Sequence, residues 1–285
     1  MVKLIKGNKY LVTGGTGFLG VPLVKYILSQ GAEVRVISRD EGKLIELKEK
    51  YPNVEIYTGD ISDKFEVQQA MKGINGVFHL AASKHVGLAE TFVRENVKTN
   101  IVGSLNILEE SLIYDLEFVL VVSTDKAAQV AGVYGATKFM MERLVKQFEA
   151  LNPKCKYRVV RYGNVLYSTG SVLCKWKELI QQGKEVVVTD PSATRFFWSV
   201  DQAIELIIDC MNNATDSTPF CPSMKSMSIN NLLQAMIEKY SNGKEISIKT
   251  IGLQPGENLH EKVLEEGPYS NEVTEFTIDE IKELI

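Results

Sequence analysis

Cysteine is scarce and scattered. The 285 residues contain four, Cys155, Cys174, Cys210 and Cys221, with no Cys-x-x-Cys spacing. That excludes a disulfide framework and predicts a reduced, cytoplasmic chain whose cysteines serve packing. The three histidines lack ligand spacing, so no metal site is expected. No apolar run approaches the roughly 20 residues of a membrane helix. The opening segment Met1–Lys9 lacks the apolar stretch of a signal peptide, so no membrane partner is expected. Positive charge is not in excess: the net charge is −4 and no basic stripe stands out, which argues against nucleic acid as a partner. With 45% hydrophobic and 24% charged residues, the composition suits a globular enzyme with one large domain, or a domain and a smaller lobe.

Strand-like and helix-like patterns alternate from the start. A short strand over Lys9–Val12 leads into Thr13-Gly-Gly-Thr-Gly-Phe-Leu-Gly20, then into a helical pattern through Leu23, Val24, Ile27 and Leu28 that stops at Gly31. Glycines spaced in threes between a strand and a helix allow a tight turn, close backbone approach to a pyrophosphate, and a helix N-terminus facing its charge. Gly14, Thr16, Gly17, Phe18 and Leu19 are therefore candidate cofactor-binding residues. The next strand, Glu33–Ser38, ends in Ser38-Arg39-Asp40. Serine and arginine there suit a ribose 2′-phosphate and favour NADP over NAD, unless Asp40 turns inward to the ribose hydroxyls.

Val54–Thr58 reads as a strand ending in Gly59-Asp60-Ile61, with Asp60 placed to meet an adenine amino group. Gly76–Leu80 is another, ending in Ala81 and Ala82, small enough for a cofactor to approach the backbone, then Lys84. His79 reads as a hydrogen-bonded core residue. One long helical pattern spans roughly Glu90 to Tyr114. Such alternation predicts a parallel, doubly wound α/β sheet with right-handed crossovers.

The segment Val121–Lys138 concentrates the chemistry. Phe118–Val122 reads as a buried strand, and it ends in Ser123, Thr124, Asp125 and Lys126, where open α/β sheets bind ligands. Tyr134 and Lys138 are four apart on one helix face, and a phenol beside an ammonium becomes a usable base. Further on, Lys156–Arg161 is a strand, a helix begins near Ser171, Glu185–Thr189 is a strand, and Thr194–Trp198 precedes an amphipathic helix over 201–211. The looser pattern beyond it predicts a smaller substrate-binding lobe. Arg195 beside aromatics and Glu257 in a Pro-Gly turn would suit a nucleotide-sugar, as phosphate and ribose ligands.

These pieces resemble the extended short-chain dehydrogenase/reductase superfamily. Within it, the chain is similar to the UDP-N-acetylglucosamine 4,6-dehydratases that feed pseudaminic acid and related bacterial surface sugars. The matching segments are Thr13–Gly20, Ser38–Asp40, Gly59-Asp60, Phe78–His85, Ser123–Lys126, Tyr134–Lys138, Arg161–Asn164, Gly170-Ser171, Thr194–Phe196 and Pro255–Glu261. The resemblance implies a Rossmann-type NADP-binding domain over 1–165, with returns from about 185–212, and a nucleotide-sugar lobe over 166–285. It implies that Tyr134, aided by Lys138, takes the sugar 4-hydroxyl proton while hydride passes to NADP, and that Thr124 bonds the same oxygen. Lys126, held neutral, would take the C5 proton, and protonated Asp125 would protonate the leaving 6-hydroxyl. Lys84, Asn164, Ser171, Arg195 and Glu257 would hold the UDP-sugar, and the chain would form a homo-oligomer. Val130 and Gly132 stand where the family usually has proline and asparagine, and Phe18-Leu19 where it often has serine-phenylalanine. A nucleotide-sugar C5-epimerase, or a 4-epimerase or ketoreductase, is the alternative, and a non-catalytic NADP-binding regulator is a third reading.

Overall fold

The computed structural model describes residues 3–285. Its first half follows the apolar pattern: β1 (Lys9–Thr13), α1 (Gly20–Ser29), β2 (Glu33–Ser38), α2 (Glu41–Lys50), β3 (Glu55–Thr58), α3 (Lys64–Met71) and β4 (Gly76–His79). Three short helices follow, α4 (Val86–Thr91), α5 (Val93–Asn96) and α6 (Gly103–Ser111), the last two joined by a π-helical turn over Val97–Val102. Then come β5 (Phe118–Val122), α7 (Val133–Leu151) and β6 (Lys156–Val160). The second half adds β7 (Asn164–Val165), α8 (Val172–Gln182), β8 (Val186–Val188), β9 (Thr194–Trp198), α9 (Val200–Asn213), β10 (Ser226–Ser228), α10 (Ile229–Tyr240), β11 (Ile248–Thr250) and α11 (Ile278–Leu284).

Six strands pair in parallel in the order β3-β2-β1-β4-β5-β6, the Rossmann-type arrangement. Both faces are covered, which is why central strands such as Phe118–Val122 are continuously apolar. One face packs Leu23, Val24 and Ile27 of α1, Leu44 of α2, and Ile204, Ile207 and Met211 of α9. The other packs Val67 and Met71 of α3, Ile107 of α6, and Met141, Val145 and Phe148 of α7. Phe118 anchors the first face, its ring centroid 5.0 Å from that of Phe78 and 5.6 Å from that of Tyr10. Strand order reverses between β1 and β4, which opens a crevice at their carboxyl ends.

A third apolar cluster lies outside this sheet, built from Trp176 and Ile180 of α8, Phe197 of β9, Leu232 and Met236 of α10, and Ile281 of α11. The segment Thr194–Trp198 leads into the expected helix, α9, and is itself a fully buried strand between β10 and β7. Its two-sided burial conceals the alternation that marks a strand. The helical pattern of 90–114 is not one helix. Asn100 turns its side chain to Ser83, accepting from Ser83 N (2.8 Å) and donating to Ser83 O (3.0 Å), while Ser104 Oγ donates to Asn100 O (2.7 Å). Side chains bonded into the helical ladder widen the turn they occupy. Capping boxes start α9 (Ser199, Gln202) and α11 (Thr277, Glu280), the latter as its spacing predicts.

Replacing Phe118 by alanine should lower unfolding free energy by about 3–5 kcal/mol, because the strand-bound site cannot collapse onto Gly76. Urea denaturation of the two proteins measures it; a loss below about 1 kcal/mol would contradict the packing described.

Candidate active site

The turn after β1 is shaped for close approach. Gly14 has φ 70°, and a Cβ there would lie 2.8 Å from Ala81 N at the end of β4. Thr13 Oγ1 accepts from Ala81 N (3.1 Å) and bonds His79 Nδ1 (2.7 Å), while His79 Nε2 reaches Ser104 Oγ (2.9 Å). Burial pulls His79 down to about 3, so it is a neutral core residue that ties the two strands together. Phe18 and Leu19 pack partly buried on the core below the turn.

Thr16 Oγ1 lies 3.1 Å from Ser38 Oγ, which also accepts from Asp40 N (3.2 Å). Asp40 does not turn inward: its carboxylate caps α2, accepting from Lys43 N (3.0 Å) and pairing with Lys43 Nζ (3.1 Å). Arg39 is largely exposed, 3.8 Å from Asp60 Oδ2. Asp60 is turned to Ser62, accepting from its amide and hydroxyl (2.9 and 2.8 Å), and to Lys98 (3.4 Å); Ile61 is buried beneath α6. Ala82 continues the chain beside Ala81, both partly exposed at the crevice.

After β5 the chain stays buried through Ser123, Thr124 and Asp125, the last with no exposure. Asp125–Ala127 forms a single 3₁₀ turn. Thr124 Oγ1 donates to Asp125 Oδ1 (2.8 Å), and Lys126 Nζ donates to both carboxylate oxygens (3.0 Å each). α7 begins at Val133, whose amide donates to Glu90 Oε1 (2.7 Å). Gly132 is explained here: a Cβ would meet the Glu90 carboxylate and lie 3.0 Å from Gly256 Cα, because the loop carrying Pro255–Glu261 packs on this turn.

Two expectations are corrected. Lys126 is not held neutral: burial favours the uncharged amine, but Asp125 and Glu261 outweigh it and raise its pKa. Nor does Lys138 ease ionisation of Tyr134. Burial pushes the phenol up to about 12, and what opposes it is Thr124 and Lys126. Lys138 is itself lowered to about 8 by burial, against the pull of Glu142, and its Nζ donates to Met141 Sδ (3.2 Å).

Glu261, which ends the loop Pro255–Glu261 and has no sequence signal beyond it, reaches this cluster. It is 1% exposed, with Oε1 3.6 Å from Lys126 Nζ and 3.7 Å from Arg195 Nε. Arg195 Nη1 donates to Thr194 O (2.8 Å) and Leu259 O (2.9 Å), fixing the loop to β9. The structure thus assembles Thr124, Asp125, Lys126, Tyr134, Arg195 and Glu261. No bond joins Lys84, Asn164, Ser171 or Glu257 to that cluster among the described residues. Asn164 lies in β7 and Ser171 precedes α8; Gly170 packs on His85, next to Lys84; Glu257 Oε2 accepts from Gln254 N (3.0 Å) within its own turn.

A family described as polysaccharide biosynthesis protein matches residues 10–282. The chain belongs to that family. It is 34% identical over 265 residues to the UDP-N-acetylglucosamine 4,6-dehydratase (inverting) of Campylobacter jejuni, covering 90% of this chain and 78% of that one. UDP-glucose 4-epimerases of Rickettsia species are 31–33% identical. The structure of Pen from Bacillus thuringiensis matches with a TM-score of 0.93 and 31% identity, covering 99% of this chain and 98% of that one. A Methanocaldococcus jannaschii relative, 38% identical over 95% of this chain and 84% of its own, is named an uncharacterized membrane protein. That relative overturns the cytoplasmic assignment drawn from cysteine usage, although no helix among the described residues is long and apolar enough to cross a membrane. Thiol chemistry reports the redox state around a chain, not whether it attaches to a membrane.

The buried Lys138 makes stability depend on pH. Its pKa is near 8 folded and near the ordinary 10.5 unfolded, so the unfolded chain holds more protons between those values. Stability should therefore rise with pH from about 8 to 10.5, by on the order of a few kcal/mol, relative to Lys138→Met. Denaturation curves of both proteins across that window test it; parallel pH dependences would refute it.

Proposed function

We propose that the chain is an NADP-dependent UDP-N-acetylglucosamine 4,6-dehydratase that leaves a 4-keto-6-deoxy sugar, with a cofactor-binding domain over 1–165 and a sugar-binding lobe over 166–285. The observation that carries this reading is the ion pair of buried Asp125 with partly exposed Lys126 beside Tyr134. Oxidation at C4 needs the tyrosine alone, whereas elimination of water across C5 and C6 needs an acid and a base together. The dehydratase relatives support it.

The cradle suits a dinucleotide: a Cβ at Gly14 would strike the backbone of Ala81, and α1 begins just beyond the glycine turn, its N-terminus toward the crevice. Gly14, Thr16, Gly17, Phe18, Leu19, Ala81 and Ala82 would hold the pyrophosphate side, and Asp60 with Ile61 the adenine side. Because Asp40 is spent on its helix cap, Ser38 and Arg39 are left to meet a 2′-phosphate. When bound, the nicotinamide supplies the hydride acceptor for C4 and the hydride donor for C6.

Tyr134 takes the 4-hydroxyl proton and Thr124 bonds that oxygen. Ketone formation acidifies the C5 proton. Lys126 Nζ sits against both oxygens of Asp125 and 3.6 Å from Glu261, which favour its charged form, so the proposed division of labour is the reverse of the one the resemblance implies. Asp125 takes the C5 proton, the C5–H electrons form the C5–C6 double bond, and Lys126 protonates the departing 6-hydroxyl as water. The proton on Asp125 exchanges with solvent before one returns from it to C5, and the proton lost from O4 balances the one given up by Lys126. Arg195 binds the diphosphate, with Lys84, Asn164, Ser171 and Glu257 placed along the sugar nucleotide. The exposed Phe92, Val93, Val97 and Val102 on the α4–α6 side support a homo-oligomer.

Incubation with UDP-N-acetylglucosamine in deuterated water, with no cofactor added, should give loss of one water and deuterium at C5 by mass spectrometry and NMR. No reaction, but C5 exchange once the 4-keto-6-deoxy sugar is supplied, would make the protein a C5-epimerase instead. Tyr134→Phe should lower turnover by about 10²–10⁴-fold. Arg39→Ala should weaken NADP binding by roughly ten- to a hundredfold while sparing NAD, read from the dinucleotide extracted from each purified protein. Equal NADP content in both would refute the role of Arg39.

A further inference from the structure

Glu261 belongs to no element of the sheet, yet its carboxyl is the second of the cluster, after that of Asp125. We infer that Glu261 is a positioning residue that holds Lys126 charged between two carboxylates, so that Lys126 serves as the acid of the elimination. The inference deepens the dehydratase reading and rests on it.

Three observations carry it. Lys126 Nζ lies between Asp125 (3.0 Å) and Glu261 Oε1 (3.6 Å), one carboxylate from the strand end and one from the C-terminal loop. The Glu261 amide donates to Ser270 Oγ (2.9 Å), and Ser270 Oγ donates in turn to Thr194 O (3.0 Å), so the backbone carrying this carboxyl is pinned to β9. Glu261 Oε2 is buried without a hydrogen-bond partner. A buried acceptor left unpaired costs about 1–3 kcal/mol, a cost that correct placement of the other oxygen must offset.

The remaining groups around the ammonium have defined signs. Asp125 and Glu261 favour the charged lysine; Arg195, 3.7 Å from Glu261 Oε1, and burial oppose it. Tyr134 faces the same ammonium, which eases ionisation of its phenol, and burial, with a smaller push from Asp125, raises the Cys221 thiol to about 12. Of the groups favouring charge on Lys126, only Glu261 comes from the C-terminal loop. Formation of the acid is thereby tied to docking of that loop, and loop docking to Arg195 through Leu259 O.

The test follows the Lys126 side chain by NMR in full-length protein labelled at lysine Cε, with the signal assigned by its loss in Lys126→Arg. The wild-type midpoint should lie above the ordinary lysine range, and Glu261→Gln should move it down while Glu261→Asp keeps the direction of the wild-type shift. A wild-type midpoint at or below the ordinary range overturns the inference, and needs no variant that might misfold. An unchanged midpoint in folded Glu261→Gln, judged by near-ultraviolet circular dichroism, overturns it too. In turnover, the alkaline limb of kcat/KM should move to lower pH in Glu261→Gln, a displacement that a scaffold residue would not cause. Failure of the wild type to dehydrate UDP-N-acetylglucosamine would refute the proposed reaction and leave the NMR result to decide the role of Glu261.

Discussion

Arg161 is the contact on which the two halves of the molecule depend. It sits at the end of β6 with no exposure, and a charge so placed is tolerable only if every donor is engaged. Its Nε and Nη2 bond the Glu142 carboxylate (2.7 and 2.5 Å), its Nη1 and Nη2 bond Glu265 (2.9 Å each), and Nη1 also bonds Val263 O (3.0 Å). Glu142 lies on α7, two turns from Tyr134 and one from Lys138, and it also accepts from Ser123 Oγ at the end of β5. Glu265 lies just past the loop that delivers Glu261. One guanidinium therefore registers α7, the end of β5 and the C-terminal loop against each other.

That registry explains why the chemistry can be buried. Asp125, Lys126 and Glu261 would be costly to desolvate singly, because each isolated charge loses its hydration. Brought together with Arg195 they compensate one another, and the shared proton inventory becomes available for acid–base work. The same logic separates the two lysines. Lys126 has two carboxylates and stays charged, whereas Lys138 faces the thioether of Met141 with Glu142 at longer range and lies near 8.

Much of the fold was legible in the residues. Continuous β-branched strands separated by amphipathic helices leave a doubly wound parallel sheet as the arrangement that buries both strand faces, and the glycine turn after Val12 marks its crevice. The contacts within Thr124–Lys126 were legible for the same reason, since neighbours on one strand end meet, whereas Tyr134 and Lys138 share a helix face but Lys138 turns to Met141. What escaped notice was non-local or non-periodic. The strand Thr194–Trp198 is buried on both sides and shows no alternation, the helical stretch at 90–114 breaks at Phe92 and widens into a π turn over 97–102, and Glu257 and Glu261 stand in one irregular loop with no period to choose between them.

The sequence by itself determined the sheet, its crevice and the local pairs, because period and turn chemistry act over a few residues and need no distant partner. Tertiary structure decided which groups carry charge. The charge on Lys126 reflects Asp125 beside it and a carboxyl 135 positions further along the chain, delivered by a loop held by Arg161, Arg195 and Ser270. Protonation follows from burial and from charges a few ångströms away, and those distances exist only once the chain has closed on itself.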